Sequence, residues 1–278
     1  MQERIYLNIK GKLPFLYVER GVLSQHNYTL YFYYEEKSIE IPIGSILVIF
    51  LGPGIRITHN AFKIISRNKC LTMLVGENIT RSYAMCIRED RTSHNIDKQI
   101  RIHTKYPDKL IKRYLSKRFN NNYKISKRDS IEKIRGIEGN YMKKAYREYA
   151  LKYGIPWVGR KISGEWSDQT DYNKAISMSN SYLYGIICAC LNSLGYLSAL
   201  GIIHKGNMSS LIYDIADIYK IDISIKIGFK TASIVRSTNE NIEKVTRKEL
   251  LEYLVKSKFI NQVVEDIEYL YDPSYYNI

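Results

Sequence analysis

Two aspartates, Asp214 and Asp217, lie three residues apart in the stretch YDIADIYKID, which has the apolar spacing of a helix. Residues three apart share one face of a helix. Carboxylates held this close repel each other, by roughly a few tenths of a kcal/mol even when they are exposed. The pair is tolerable when a divalent cation neutralises it, so its spacing indicates a metal site.

A third acidic residue, Glu138, occupies a core-facing position of a helix predicted over residues 130–154. It is flanked by Gly136 and Gly139, which weaken a helix but allow another group to approach closely. A carboxylate on the core side is costly unless a cation satisfies it. Two cations meet this requirement: Arg135, which would make a structural salt bridge, and a metal ion, which would give Glu138 a catalytic role.

The fourth candidate is His204, which follows the apolar run LGII and precedes a Lys-Gly-Asn loop. One interpretation is a histidine that is hydrogen-bonded in the core. The other depends on the short loop, which can fold the helix of Asp214 and Asp217 back onto the imidazole. Three carboxylates and one imidazole suit Mg²⁺ or Mn²⁺ better than zinc, because hard cations prefer oxygen ligands. In a basic protein, such a site is typical of phosphodiester chemistry.

The charge of the chain favours a polyanionic partner. The 278 residues carry a formal net charge of +14. Residues 88–128 contain 13 Lys or Arg against 4 acids, and so hold +9 of this excess. Nucleic acid is the first candidate partner and an anionic membrane surface the second.

The cysteines and the apolar segments indicate a cytoplasmic protein. None of the four cysteines forms a CxxC pair, which argues against structural zinc and against a disulfide framework. The first ten residues lack the apolar region of a signal peptide. Residues 175–203 carry no formal charge, but their Ser and Asn content and the Gly195-Tyr196 stop favour a buried central helix over a membrane span.

The hydrophobic pattern predicts an α+β chain, with a small β-rich domain at residues 1–86, a linker at 87–95 and a larger helical domain at 96–278. In the first domain, short β-branched and aromatic runs alternate with turn signals, and NAFKIISRN is a predicted helix. Beyond the linker, amphipathic patterns and helix stops predict six helices. These are PDKLIKRYLSKRF, residues 130–154, 173–194 and 209–222, RKELLEYLVKSKF and INQVVEDIEYLY.

Three blocks in this order, RGIEGNYMKKAYREYA, GIIHKGN and YDIADIYKID, resemble the CRISPR-associated adaptation integrase, the Cas-one family. In the first domain, FLYVERG, IPIGSILVIFLGPGIRITH and LVGENITRSYA are similar to the type I-E branch of that family. The similarity extends over nearly the whole chain.

The resemblance implies a β-sandwich-like N-terminal domain, an all-α C-terminal domain and a homodimer. It also implies a complex in which two such dimers flank a dimer of the Cas-two protein. This complex would capture double-stranded foreign DNA and join its 3′-hydroxyls to the CRISPR repeat by metal-dependent transesterification, an antiviral defence by spacer acquisition. No membrane partner is expected.

By motif, the resemblance makes Glu138, His204 and Asp217 the ligands of Mg²⁺ or Mn²⁺ and Asp214 an auxiliary catalytic acid. It also makes four basic residues contacts for DNA: Arg56, Arg81, Lys205 and Lys220.

The chain departs from the family pattern at two places. Where a relative carries lysine three residues past the histidine, this chain has Asn207, with Lys205 nearer to His204. Where relatives place a tyrosine before a glycine to stack at the fork of bound DNA, this chain has Arg20. The stacking group is therefore Arg20 itself or one of three tyrosines, Tyr17, Tyr28 and Tyr31.

Two other functions stay open at this point. A plain metal-dependent nuclease would use the same residues with water as the nucleophile. A DNA-binding scaffold without catalysis would need only the basic residues, with Glu138 in a structural ion pair.

Overall fold

The computed structural model describes residues 9–86, 93, 95–119, 131–160 and 165–277, and for residues 131–135 it describes the backbone alone. Strands occupy the N-terminal part and helices the rest, as the sequence predicts. The described strands are β1 (Leu13–Val18), β2 (Val22–His26), β3 (Thr29–Tyr34), β4 (Lys37–Ile41), β5 (Ile46–Leu51), β6 (Arg56–Ile57), β7 (Leu71–Val75) and β8 (Ser82–Cys86).

These strands form two four-stranded sheets. The first has the order β1-β5-β7-β8, with β1, β5 and β7 parallel and β8 antiparallel to β7. The second has the order β4-β3-β2-β6, with β2, β3 and β4 antiparallel and β6 parallel to β2. Arg20 has a positive φ of 54° between β1 and β2, so the run FLYVERGVL turns there and contributes one strand to each sheet.

The described helices are α1 (His59–Arg67), α2 (Ile96–Lys105), α3 (Pro107–Arg118), α4 (Ile131–Tyr153), α5 (Asp171–Leu194), α6 (Ser210–Tyr219), α7 (Lys226–Thr238), α8 (Ile242–Lys256), α9 (Phe259–Leu270) and α10 (Pro273–Tyr276). A π-helical turn, Ile221–Ile225, joins α6 to α7. Helix α5 ends at Gly195, whose left-handed φ of 74° suits a residue without a side chain.

Strand β5 is the centre of the molecule, since all six of its residues are buried. A strand covered on both faces is a continuous apolar run, which explains the segment ILVIFL. Ile49 and Leu51 lie in the core that includes Leu23 of the second sheet and Ile65 of α1. Phe50 lies in the other core, which joins the first sheet to α5. Strand β5 therefore contributes to two apolar cores, one with the second sheet and α1 and one with the helices.

The packing of α5 on the first sheet is close. The ring of Tyr182 stacks on Phe15 with centroids 4.2 Å apart and meets Phe50 edge-on at 5.0 Å. Residues 175–194 of the uncharged segment lie in this buried helix. None of the described helices combines the length and the apolarity that a membrane span requires.

The α+β prediction is confirmed, with corrections in detail. Helices α2 and α7 are not among the six helices that the sequence patterns predict. The helix predicted over residues 209–222 ends at Tyr219 and continues as the π-helical turn. The last described strand ends at Cys86 and α2 begins at Ile96, whereas most of the predicted linker lies outside the described residues. The domain boundaries stay a prediction.

We expect Gly185→Ala to destabilise the protein, although alanine favours a helix by about 1 kcal/mol over glycine. A Cβ at this position would lie 2.5 Å from Cζ of Phe50 and 2.8 Å from Sδ of Met73. Overpacking a buried site costs about 1–3 kcal/mol, so the steric term should exceed the helix-propensity gain.

Denaturant unfolding measures this difference. The matched control is Gly136→Ala in α4, where no described atom lies within 4 Å of the added Cβ and stability should stay equal or rise. An increase in stability for Gly185→Ala would contradict the proposed close packing.

Candidate active site

Asp214 is fully buried and serves as an acceptor for the loop that precedes its helix. Its carboxylate accepts backbone N–H bonds from Ile202, from Ile203 at 3.2 Å and from His204 at 3.1 Å. It also contacts Nδ1 of His204 at 2.8 Å. Gly201 starts this loop, and a side chain there would collide with the carbonyl oxygen of His204, 2.2 Å from the ideal Cβ position. The loop therefore returns α6 onto the imidazole, as predicted.

The contact with Asp214 sets the tautomer of His204. A carboxylate only accepts hydrogen bonds. Nδ1 of His204 therefore carries the hydrogen and donates a hydrogen bond to Asp214. The hydrogen bond that His204 donates to Asp214 raises the pKa of His204, against the opposing effect of burial. In neutral His204 the lone pair is then on Nε2, which lies 3.9 Å from Oδ2 of Asp217.

Asp217 is nearly buried, and its charge is balanced by Lys220. Nζ of Lys220 lies 2.6 Å from Oδ1 of Asp217. Burial alone would lower the pKa of Lys220, but Asp217 and the hydroxyl of Tyr184 raise it above its ordinary value. Lys220 is therefore a cation at neutral pH. The repulsion that the spacing of the two aspartates implies is relieved by groups of the chain itself, before any metal ion is considered.

Glu138 lies on α4 and is paired with an arginine that the sequence did not indicate. Its Oε1 is 3.3 Å from Nη2 of Arg118, at the end of α3. The predicted partner, Arg135, has a side chain outside the described residues. The close approach expected at Gly136 and Gly139 is not found, because no described atom lies within 4 Å of either Cβ position.

Helix α3 lies between α6, which carries Asp214 and Asp217, and α4, which carries Glu138. Tyr114 is fully buried there, and burial followed by the carboxylates of Asp217 and Asp214 raises its pKa well above the ordinary value. The charges of Arg118 and Glu138 act on the same phenol. Tyr114 and Arg118 are four residues apart and so share one face of α3. In the sequence, the basic amphipathic pattern of α3 predicted the helix but did not indicate that Tyr114 and Arg118 lie at the site.

The structure brings three of the four predicted catalytic residues together, namely His204, Asp214 and Asp217. Within residues 9–86, 93, 95–119, 136–160 and 165–277, no group of three or more His, Cys, Asp or Glu side chains is close enough to hold a metal ion. Glu138 is thus not clustered with His204 and Asp217 in this conformation. The ligand set Glu138, His204 and Asp217 stays a prediction.

Aromatic residues that the sequence did not single out border the site. The ring of Tyr213 meets His204 edge-on at 5.8 Å, and Tyr184 meets Tyr213 at 5.1 Å. Nζ of Lys220 lies 5.3 Å from the centre of the Tyr184 ring. A second histidine, His103, lies on α2, where burial and the charge of Lys205 lower its pKa to about 4. No spacing in the sequence links α2 or α5 to the site. Only the tertiary structure shows that His103 and Tyr184 lie near it.

The predicted DNA contacts differ in exposure. Arg56 on β6, Arg81 before β8 and Lys205 are exposed. The ammonium of Lys205 also donates to the carbonyl of Gly201. Lys220 is only partly accessible and is engaged with Asp217.

Among the three tyrosines considered for stacking on DNA, Tyr28 is the most accessible, with 88% of its surface exposed between β2 and β3. Tyr17 donates to Glu19 at 2.9 Å and is covered by Arg247, 4.7 Å from the ring centre.

Comparison with known proteins identifies the family of this chain. The family model described as CRISPR associated protein Cas1 matches residues 91–265, more than half of the chain. The chain belongs to the Cas1 family. The match covers α2–α8, and with them Glu138, His204, Asp214 and Asp217.

Full-length relatives support the assignment. The chain is 33% identical to a CRISPR-associated endonuclease Cas1 of Thermus thermophilus, over 92% of this chain and 78% of the relative. A Cas1 endonuclease of Escherichia coli is also 33% identical, over 69% of this chain and 63% of the relative. The type I-E subtype stays a prediction.

Among solved structures, a TtCas1–DNA complex superposes with a TM-score of 0.79 at 30% identity, over 93% of this chain and 91% of that one. A CAS1 protein from Thermotoga maritima has a TM-score of 0.69 at 15% identity, over 93% and 96% of the two chains, and so shows the fold alone.

We expect His204 to titrate above its ordinary pKa of about 6.5, and Asp214→Asn to lower that pKa by removing the charge that holds the imidazolium. Because the pKa is raised in the folded state, protonation of His204 adds to the free energy of unfolding. This contribution is complete below a pH of about 6.5 and is lost as the pH rises through the pKa of the folded state. A pH titration of the ring protons by NMR measures both proteins.

The internal control is the ring-proton spectrum of His59, on the surface of α1, which the substitution should leave unchanged. An unchanged pKa for His204 in Asp214→Asn would contradict the assigned contact.

Proposed function

We propose that this chain is a metal-dependent DNA endonuclease and integrase of CRISPR adaptation, which joins the 3′-hydroxyl ends of short foreign DNA to the CRISPR repeat. The observation that carries the proposal is the placement of His204 Nε2 opposite Asp217 Oδ2, in a chain of the Cas1 family. Its relatives bear the name CRISPR-associated endonuclease, and TtCas1 forms a complex with DNA.

The residues present fit a hard divalent cation. An imidazole nitrogen whose other nitrogen is fixed by a carboxylate is a common metal ligand in proteins. Carboxylate oxygens are what Mg²⁺ and Mn²⁺ prefer. His204, Asp217 and Glu138 are the residues that would hold the ion. When bound, such an ion polarises a phosphoryl oxygen and stabilises the attacking or leaving hydroxyl.

The other residues of the site orient and balance charge. Asp214 keeps the Nδ1 proton on His204 and thereby leaves Nε2 as an acceptor. Lys220 holds Oδ1 of Asp217 and leaves Oδ2 toward His204. We assign DNA phosphate contacts to Arg56, Arg81 and Lys205, while Lys220 would serve at the site itself.

The proposed reaction exchanges one phosphodiester for another. The 3′-hydroxyl loses its proton and its oxygen bonds to phosphorus. The bond from phosphorus to the 3′-oxygen of the repeat breaks, and that oxygen takes up a proton. The number of phosphodiester bonds is unchanged, so no external energy source is needed.

The proposed partners follow from the family. We infer that the chain acts as a homodimer, on double-stranded DNA, in a complex with a dimer of the Cas-two protein. Tyr28 is the best placed of the stacking candidates, because Tyr17 is already covered by Arg247.

A plain nuclease is the second candidate, since the same residues could activate water. A branched duplex that mimics a half-integrated spacer separates the two. The purified chain should resolve the branch and rejoin the released strand with Mn²⁺ or Mg²⁺, and EDTA or Glu138→Ala should abolish both steps. Cleavage without rejoining would favour the nuclease.

We expect Asp217→Ala to lower strand joining by at least about 100-fold, because a bound metal ion supplies several kcal/mol of transition-state stabilisation. DNA affinity should change little, since phosphate contacts provide most of it. A gel assay of joining and a fluorescence anisotropy titration measure the two quantities.

The control is Asp222→Ala, which removes an exposed acid five residues further on, in the π-helical turn. It should keep strand joining. Equal losses in both variants, or full activity in Asp217→Ala, would refute the assignment.

We also expect the double variant Arg56→Gln, Arg81→Gln to weaken DNA binding and to reduce the slope of log K against log salt. Each lost phosphate contact lowers that slope by about 0.9 for duplex DNA. The control is Lys244→Gln, an exposed cation on α8. A slope that drops equally in the control would indicate an effect of net charge alone.

A further inference from the structure

Arg118 is a buried cation at the C-terminal end of α3. Only 2% of its side chain is exposed. Its Nη2 contacts Glu138 Oε1 at 3.3 Å and Met142 Sδ at 3.5 Å, so the guanidinium lies against two side chains one turn apart on α4. Burial of a guanidinium is costly unless a carboxylate balances it. Among the described side chains, Glu138 is the one carboxylate within salt-bridge distance of Arg118.

The contact engages a single oxygen of Glu138. Oε1 is held by Arg118, and none of the described side chains donates a hydrogen bond to Oε2. Asp217 shows the same division, with Oδ1 held by Lys220 and Oδ2 facing His204. In both cases a cation of the chain fixes one carboxylate oxygen and leaves the other for a further partner.

The two fixing cations differ in one respect. Lys220 is on the same helical segment as Asp217, whereas Arg118 reaches Glu138 from another helix. Arg118 lies on α3, one turn after the buried Tyr114. Helix α3 packs against α6, which carries Asp214 and Asp217, and contacts α4, which carries Glu138, through Arg118.

We propose that Arg118 is a positioning residue, which orients the Glu138 carboxylate so that Oε2 is presented to a divalent cation. This inference rests on the proposed function, because it takes Glu138 as a metal ligand. A buried guanidinium has little freedom to move away, and it contacts one oxygen only, so it restricts the rotation of Glu138 without covering the second oxygen. Groups that orient a metal ligand in this way typically contribute 10–100-fold to metal affinity.

The test is the binding of Mn²⁺ to the full chain. Electron paramagnetic resonance measures the concentration of the free ion, so the experiment needs neither DNA nor enzymatic activity. We expect Arg118→Met, which keeps an unbranched side chain beside Met142, to bind Mn²⁺ about 10–100-fold more weakly than the wild type. Arg118→Lys, which keeps the charge but not the planar fork, should lie between the two.

The matched control is Arg113→Met on the same helix. Arg113 is also buried, but its guanidinium stacks on Tyr269 and Tyr275, at 4.1 and 4.0 Å, and pairs with Asp272 at 3.6 Å. Its removal should lower the unfolding temperature and leave the Mn²⁺ affinity unchanged. Unfolding temperatures of all variants identify any that fails to fold. In that event Arg118→Lys decides the proposal: weakened Mn²⁺ binding supports it, and wild-type binding overturns it.

A double-mutant cycle with Glu138→Ala tests whether Arg118 affects Mn²⁺ binding through Glu138. If it does, Arg118→Met should have no further effect on Mn²⁺ binding in a Glu138→Ala background. An equal further loss there would overturn the proposal, and so would wild-type affinity in Arg118→Met. Tighter binding in Arg118→Met would also overturn it, because Arg118 would then compete with the metal. Failure of the wild type to bind Mn²⁺ would instead refute the proposed metal site itself, and this inference with it.

Discussion

The buried carboxylate of Asp214 holds together the part of the molecule on which the candidate site depends. It accepts hydrogen bonds from three consecutive backbone N–H groups and from the imidazole of His204. Hydrogen bonds to a charged group contribute about 1.5–3 kcal/mol each. The same carboxylate without these donors would be strongly unfavourable in the core. The loop, the helix and the histidine tautomer are thus coupled through one side chain, and the role of Asp214 as an auxiliary catalytic acid stays a prediction.

Charge balance explains how so many ionisable groups pack closely. Asp214 is balanced by its donors, Asp217 by Lys220 and Glu138 by Arg118. Each acid therefore has its own counterpart within the chain. A divalent cation would enter a region that is already balanced, and its binding would have to compete with Lys220 and Arg118 or make use of the oxygens that they leave open. Those oxygens are Asp217 Oδ2 and Glu138 Oε2, and both belong to residues that we propose as metal ligands.

The apolar packing around β5 fixes where these helices lie. Strand β5 is buried on both faces, and α5 packs on the first sheet through Tyr182 and the close approach at Gly185. Helix α5 also carries Tyr184, which contacts the ammonium of Lys220. The first sheet, whose strand β8 follows Arg81, and the helices of the site are therefore packed against each other.

The sequence by itself determined the α+β class, most of the helices, the family resemblance and the identity of the candidate residues, because periodicity and motif spacing are local properties. It also indicated that the short loop after His204 would return Asp214 to the imidazole. Only the tertiary structure decided which cation each acid meets. Arg118 reaches Glu138 from a different helix, 20 positions away in the chain, and no spacing in the sequence suggested this pair. The helices α2 and α7 were also missed; in the fold α2 packs against α3, and α7 packs against α5 and α8. Salt bridges and helix packing depend on distances through space, which the order of residues does not contain.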